Sequence, residues 1–350
     1  MGIIATIFHH IWRALDGLRK FLHLIVLLVL FGFLFGALRV SIPVIPPTAA
    51  LVVAPEGEIV EQLSGDPIER AIEEAQGQGR AETLLWDLTD SIRAAAKDKR
   101  IPVLVLDLDY FTGAGQPTLE ELAQAIREFR AAKKKVIAYG TFFLQDQYYL
   151  AAQADEIYLD PLGLVLIEGY ERYRMYFKEA LDKLGVEVNV FRAGKFKSAA
   201  EVFLREDMSP EEREESQDYL ASLWNTYRAT VGKARKLDPE AIATYTATIA
   251  PAARAANGNL STVALKAGLV TGVKTRIEVE QRLIQLVGEN EAEGSFHGVS
   301  HQDYARVLHA EKQLSVDGRP RVAVVVASGE ILDGEQPPGT IGGESTARLV

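Results

Sequence analysis

Two lysines two residues apart, Lys195 and Lys197, lie in the stretch Phe191-Arg-Ala-Gly-Lys-Phe-Lys-Ser-Ala-Ala-Glu-Val-Phe203. In an extended segment both side chains point to one face, and Gly194 lets the backbone turn just before them. A lysine desolvated among apolar groups loses its proton more readily, and the neutral amine can take a proton from a serine hydroxyl. Phe196, Ala199, Ala200 and Val202 are the apolar neighbours available for that, and Lys197 is closer to them than Lys195. Glu201, Glu206 and Asp207 oppose the shift wherever they approach. By residue type alone Lys197 is a plausible base, and a solvated basic loop is the alternative.

A second stretch able to do chemistry is Asp109-Tyr-Phe-Thr-Gly-Ala-Gly-Gln-Pro117. Gly113 and Gly115 free the backbone to present N–H groups ahead of a helix start, a place suited to an anion or oxyanion. A plain glycine-bearing turn between strand and helix fits the same residues. Other chemistries are disfavoured: there is no Gly-x-Gly-x-x-Gly fingerprint, no phosphate-loop lysine and no Gly-x-Ser-x-Gly elbow. The chain has no cysteine and six histidines. Thiolate catalysis and Cys-ligated zinc are therefore out, and His297/His301, though spaced i, i+4, lack a nearby Glu motif for metal. No cofactor or metal is expected. A formal net charge of −10 over 350 residues argues against nucleic acid as a partner.

These stretches need a scaffold, and the middle of the chain reads as alternating strands and helices. Leu51–Ala54, Pro102–Leu108, Lys135–Tyr139, Glu156–Leu159, Leu164–Ile167 and Val186–Phe191 read as strands. Unbroken apolar runs such as Pro102–Leu108 belong to strands covered on both faces. Helices are expected over Thr83–Lys97, over Thr118–Ala131 with a Thr118/Glu121 capping box, over Leu144–Gln153 and over Tyr173–Leu184. Such alternation predicts parallel pairing and an α/β domain. Ser209-Pro210-Glu211-Glu212 starts a long helix with an apolar stripe at Leu220, Leu223, Trp224, Tyr227 and Val231. Asp238-Pro239 starts the next, Ser261–Lys266 forms another, and 288–301 reads as a surface loop.

Phe21 to Leu38 is apolar apart from His23. As a helix it would be about 27 Å long, close to the hydrocarbon thickness of a bilayer. Arg13, Arg19 and Lys20 precede it and keep the N-terminus cytoplasmic, so an uncleaved signal anchor is expected. The organisation predicted is 1–20 cytoplasmic, 21–40 transmembrane, 41–49 a stiff proline-bearing linker, 50–300 a first α/β copy, and 301–350 a connection into a second. That second copy is inferred from an echo: Val52-Val-Ala-Pro-Glu-Gly-Glu-Ile-Val60 recurs as Val324-Val-Val-Ala-Ser-Gly-Glu-Ile-Leu332. Glu344–Val350 reads as the first turns of a helix, so the chain is expected to be the N-terminal part of a longer protein.

The anchor, the α/β pattern, Gly-Lys-Phe-Lys-Ser-Ala-Ala-Glu-Val-Phe and the downstream Arg-Glu-Asp-Met-Ser-Pro-Glu-Glu-Arg together resemble the signal peptide peptidase A (protease IV) family in its long, two-copy form. The resemblance implies repeated ββα units of the crotonase/Clp-protease-like fold and a Ser/Lys dyad shared between copies. The family's lysine is the one followed by Ser-Ala, which is Lys197 here. The place of the second copy's serine corresponds to Thr141–Tyr149, where Gln145 stands in. Gly113 and Gly115 occupy the place of the second copy's oxyanion glycines, and no catalysis is carried over to them. The resemblance further implies a homo-oligomer, a tetramer, in the bacterial inner membrane, with its soluble part periplasmic and signal peptides and other membrane-associated peptides as substrates. The rival expectations are a non-catalytic membrane-anchored scaffold and an acyl-CoA enzyme of the same fold. As it stands the chain is expected to hold a base without its nucleophile, so peptide hydrolysis by residues 1–350 alone should be undetectable. Turnover by this chain would refute the division of labour, as would a stop codon directly after Val350.

Overall fold

A computed structural model of the chain describes residues 2–37, 43–77, 79–191, 193–194, 196–314 and 322–350. Residues 1–44 and 45–350 are two compact units. The first contains one helix, α1 (Gly2–Ala37), whose apolar side chains from Phe21 to Phe31 are exposed. Among the described residues no helix is long and apolar enough to cross a membrane. The expected span Phe21–Leu38 is only partly covered by that statement, because its side chains from 33 onward lie outside the described residues, as do 41–42 of the expected linker.

The second unit opens with strands β1 (Ala50–Val53) and β2 (Gly57–Val60), helix α2 (Pro67–Ala75), strand β3 (Glu82–Leu84) and helix α3 (Leu85–Lys97). Next come β4 (Val103–Asp107), β5 (Phe111–Gly113), α4 (Gln116–Ala131), β6 (Lys135–Gly140), α5 (Gln145–Ala151) and β7 (Glu156–Leu159). A helical stretch follows: α6 (Lys178–Lys183), α7 (Glu201–Leu204), α8 (Pro210–Arg235), α9 (Pro239–Ala255) and α10 (Leu260–Lys266). The chain then returns through β8 (Gly272–Val273), α11 (Arg276–Val287), the hairpin β9 (Glu289–Asn290) and β10 (Ser295–Phe296), β11 (Gly298–Ser300) and α12 (His301–Leu314). It finishes with β12 (Glu330–Leu332), β13 (Thr340–Gly342) and α13 (Gly343–Leu349).

The main sheet is parallel throughout, in the order β11-β1-β4-β6-β7-β8. A smaller parallel sheet, β3-β2-β5, stands beside it. The α/β expectation therefore holds, and the units are ββα in kind: β4 feeds the large sheet, β5 the small one, and α4 follows. Alternation along β4 divides the core. Leu104 and Leu106 join the cluster under α3 and α4, whereas Val103 and Val105 pack with Val279, Leu283 and Val287 of α11 on the other face.

Several expectations are corrected. Helix α4 begins at Gln116, with Gly115 at its N-cap and Pro117 in the first turn, so no Thr118/Glu121 box forms. Glu121 is drawn away by Arg93, 2.8 Å distant. Thr83 and Leu84 belong to β3 rather than to the helix after it. Leu164–Ile167 forms only a single bridge, Phe143 with Val165. The expected strand Val186–Phe191 is not one; Phe191 is 99% exposed, and the helix before it shrinks to α6. Conversely 288–301 is no mere loop, since β11 pairs with β1 at the edge of the main sheet. The helix start at Ser209 is as expected, its hydroxyl accepting from the Glu212 amide at 3.1 Å.

The echo at the C-terminal end has a structural counterpart. Glu58-Ile59-Val60 pair in parallel with Glu82-Thr83-Leu84, and Glu330-Ile331-Leu332 pair in parallel with Thr340-Ile341-Gly342. In both cases the second strand runs directly into a helix. Both entry glycines have positive φ, 68° at Gly57 and 107° at Gly329. A Cβ on Gly57 would sit 1.6 Å from the Ala81 carbonyl oxygen, and one on Gly329 would sit 2.0 Å from that of Gly339.

His301, at the start of α12, is buried against β1, where its Nδ1 lies 3.4 Å from the Ala54 amide. Burial pushes its pKa down to about 4, partly offset by the Val52 backbone. The unfolded chain binds a proton at this residue near pH 6.5 that the folded chain refuses until about pH 4. Stability from His301 is thus full above pH 6.5 and is lost as pH falls toward 4, by about 3 kcal/mol in all. Urea midpoints across that window should fall more steeply for the parent than for His301→Gln. Parallel curves would show that the histidine titrates normally.

Candidate active site

The loop between β4 and α4 is fixed from below by Gln147, a buried side chain of α5. Its amide donates to the carbonyls of Leu108 and Phe111 at 3.0 and 2.8 Å, while its oxygen accepts from the Leu144 amide at 2.8 Å. Asp109 accepts from the Thr141 amide at 2.7 Å and from its hydroxyl at 2.9 Å. The Gly113–Gly115 backbone thereby faces the first turn of α5. The Ala114 N–H points at Asp146 Oδ2, 3.3 Å away, and a Cβ on Gly113 would lie 3.2 Å from the same oxygen. The loop does hold an anion, and that anion is the chain's own carboxylate. Burial raises the Asp146 pKa, with the Ala114 hydrogen bond opposing it.

Gln145 is committed too. Its Oε1 accepts from the Gly169 amide at 2.8 Å, and its Nε2 donates to the Gly169 carbonyl at 3.1 Å. A peptide-like pairing of this kind satisfies both backbone groups of Gly169. The Gln145 carbonyl in turn accepts from the Tyr227 hydroxyl of α8 at 3.0 Å. Asp146 and Gln145 are thus both committed to backbone partners at the start of α5.

Lys197 lies elsewhere in the chain path, on the turn leading into α7. Its aliphatic stem folds back over Gly194, whose φ is 106°, with the stem carbons 3.8 to 4.0 Å from where a Cβ would project. The side chain is exposed, so the apolar enclosure expected from Phe196, Ala199 and Val202 is not formed by those residues. Phe196 itself is 52% exposed. Lys195 lies outside the described residues. Glu201, the acid nearest in sequence, is buried at the start of α7.

Comparison with known proteins bears on this arrangement. Residues 128–289 match the profile of peptidase family S49. Protease 4 of Salmonella typhi is 34% identical over 355 aligned residues, covering 99% of this chain and 56% of that protein. Protease 4 of Haemophilus influenzae is 36% identical over 293 residues, 84% of this chain and 46% of that one. The chain belongs to peptidase family S49. It spans about half the length of the curated S49 relatives it matches. Among solved structures, a membrane-bound stomatin-specific protease in complex with a substrate peptide is 12% identical, with 76% of this chain and 100% of that one covered, at a TM-score of 0.31. An enoyl-CoA hydratase/isomerase family protein from Silicibacter pomeroyi gives 14%, 67%, 81% and 0.31 for the same quantities. Scores of that size carry no argument about a site.

Within the S49 match lie Lys197, Gln145 and Asp146, while Gly113 and Gly115 precede it. Sequence reasoning missed Asp146 and Gln147. The signal for both was their place at a helix N-terminus directly after a strand, where a carboxylate and a capping amide are favoured.

The raised pKa of Asp146 carries a test. A carboxyl whose folded pKa exceeds its unfolded value favours the fold only while protonated, and that gain is lost as pH rises through the folded pKa. Asp146→Asn keeps an acceptor for Ala114 without the charge. It should be at least as stable as the parent at pH 7, with its advantage shrinking on acidification through the carboxyl range. A variant destabilised at pH 7 would mean that the charge, rather than its shape, holds the loop.

Proposed function

We propose that the full-length protein is a membrane-anchored serine endopeptidase with a Ser/Lys dyad that degrades signal peptides left in the bilayer after cleavage. The observation carrying this reading is the alignment of 99% of the chain with a protein named Protease 4, in a chain where the lysine followed by Ser-Ala is Lys197. In the proposed reaction a serine from the second copy attacks the scissile carbonyl. The Lys197 amine accepts the serine proton and passes it to the leaving amine, giving an acyl-enzyme. The same amine then takes a proton from water as its oxygen attacks the acyl carbon, and returns that proton to the serine oxygen as the ester bond breaks.

Three features support the division between copies. Gln145, in the comparable place to the serine, is bound to Gly169 and carries no nucleophile. The parallel pair β12–β13 repeats the pairing of β2 with β3, as the entry of a second copy would. Large apolar side chains of the lysine stretch itself are exposed, Phe191 at 99% and Phe196 at 52%. A covering surface from the second copy or a neighbouring protomer would desolvate Lys197 and make it a base. The homo-oligomer, a tetramer by family resemblance, belongs to this proposal.

Phe21–Leu38 is proposed as the single-pass anchor in the bacterial inner membrane, its basic flank cytoplasmic and residues 45–350 periplasmic. Anchoring brings membrane-held peptides to the enzyme at high effective concentration. Nothing in the reaction calls for a metal or cofactor.

In the full-length protein Lys197→Ala should reduce hydrolysis of an apolar fluorogenic peptide by about 10³-fold, the usual range for loss of a general base. Lys195→Ala should stay within a few-fold of the parent. Parental activity in Lys197→Ala sinks the assignment, and binding of coenzyme A in place of peptide turnover favours the acyl-CoA alternative.

A further inference from the structure

The residue that connects the lysine turn to the rest of the fold is Arg174, and what holds Arg174 is a carboxylate with no solvent exposure. Glu212 is the third residue of α8, its backbone amide capped by Ser209. Its side chain is completely buried and pairs with Arg174, and also with Arg172 at 3.4 Å. The Tyr176 hydroxyl lies 3.3 Å from its other oxygen. A buried charge must be paired and hydrogen-bonded, so this constellation is obligatory wherever Glu212 is ionised.

Arg174 has donors left over. Its Nη1 lies 3.4 Å from the Ser198 carbonyl, and its Nη2 lies 3.4 Å from the Ala199 carbonyl. One planar guanidinium therefore ties α8 to the two residues directly after Lys197. The same segments meet again one turn on. The Phe177 amide donates to the Val202 carbonyl, and the Phe177 and Phe203 rings stack with centroids 6.1 Å apart. The Ser198 carbonyl also accepts from the Glu201 amide at 2.9 Å, the first bond of α7.

We propose that Arg174, held in place by the buried Glu212, is a positioning residue that sets the backbone of the Lys197 turn for proton transfer. A base on a surface turn would wander by more than an ångström without such a tie, and misplacement of that size costs about 10²-fold in rate. The role rests on the proposed Ser/Lys reading, but the tie itself is testable without it.

The first measurement uses this chain and needs no activity. Amide hydrogen exchange in Arg174→Met should quicken about tenfold or more at Phe177 and Glu201, while amides of β4 and β6 keep parental rates. The second uses the full-length protein and an apolar fluorogenic peptide. Arg174→Met should lower kcat by about 10- to 100-fold with KM little changed, and Arg174→Lys should fall between, since an ammonium cannot span two carbonyls and a carboxylate. The acid limb of kcat/KM, which reports the base, should move in both variants. A merely structural loss would lower the melting temperature and the amount of active enzyme without moving that limb. Arg205→Met, which removes an arginine bound to Asp207 just beyond α7, should stay within about twofold of the parent. If Arg174→Met misfolds, Glu212→Gln replaces it, with the same result expected. Unchanged exchange at Phe177 and Glu201, or an unchanged kcat and acid limb, overturns the inference. Parental activity in Lys197→Ala overturns the catalytic reading instead and leaves the exchange result standing.

Discussion

A parallel sheet must be covered on both faces, and in this chain one of those covers comes from far away in sequence. Helices α3 and α4 follow their strands locally and close one face. The opposite face is closed by α11, whose Val279, Leu283 and Val287 lie on Ala50, Val103, Val105 and Ile137. Between β7 and α11 the chain makes the whole helical excursion from 160 to 271 before it returns. Burying a large aliphatic side chain is worth about 1.5 to 3 kcal/mol, so the three α11 residues alone make that return necessary. The edge strand β11 repeats the lesson, pairing Leu51 with Val299 across nearly the full domain. Loop closure over such distances slows folding more than it weakens the fold.

The excursion is where the candidate chemistry sits. Its far part is well anchored, since the Tyr227 and Tyr245 hydroxyls donate to the carbonyls of Gln145 and Val165 at 3.0 and 2.7 Å. In its near part, from about 171 to 205, no described residue belongs to a strand. Order there comes from polar ties, Glu212 with Arg174 above all, rather than from apolar burial. That contrast leaves Lys197 exposed on a turn that is nevertheless tied to α8 through Arg174.

Much of this was legible in the sequence, for identifiable reasons. The central strands were visible because a strand covered on both faces is an unbroken apolar run, as in Val103–Leu106. Helix α8 was visible because Ser209-Pro210 is a cap with a physical mechanism. Strands β3, β5 and β11 have three residues each, too few for any period, and only their neighbours make them strands. Val186–Phe191 misled in the opposite way: its alternating valines are β-prone, but among the described residues no strand pairs with it. The Thr118/Glu121 box failed because the helix starts two residues earlier, at Gln116 behind Gly115, and Glu121 pairs instead with Arg93. At the site, Lys197 was singled out by a motif and not by its surroundings, since its own neighbours do not enclose it. Arg174 gave no signal because its partners, Glu212 and Ser198–Ala199, come together only in three dimensions.

The two entry glycines show what the two echoed segments share. A three-residue identity, Gly-Glu-Ile, is weak evidence of a repeat when read as letters. Read as a steric demand it is stronger. At Gly57 and at Gly329 the backbone adopts a positive φ, and a carbonyl from the residue just before the partner strand occupies the space a Cβ would need. Any side chain at either position would push apart the first pair of strands in its copy. Packing alone therefore accounts for a glycine at both positions. Functional positions carry no such constraint. Gln145 clips Gly169 and Asp146 faces the Gly113–Gly115 loop through their side chains alone, and neither side chain takes part in the strand pairing.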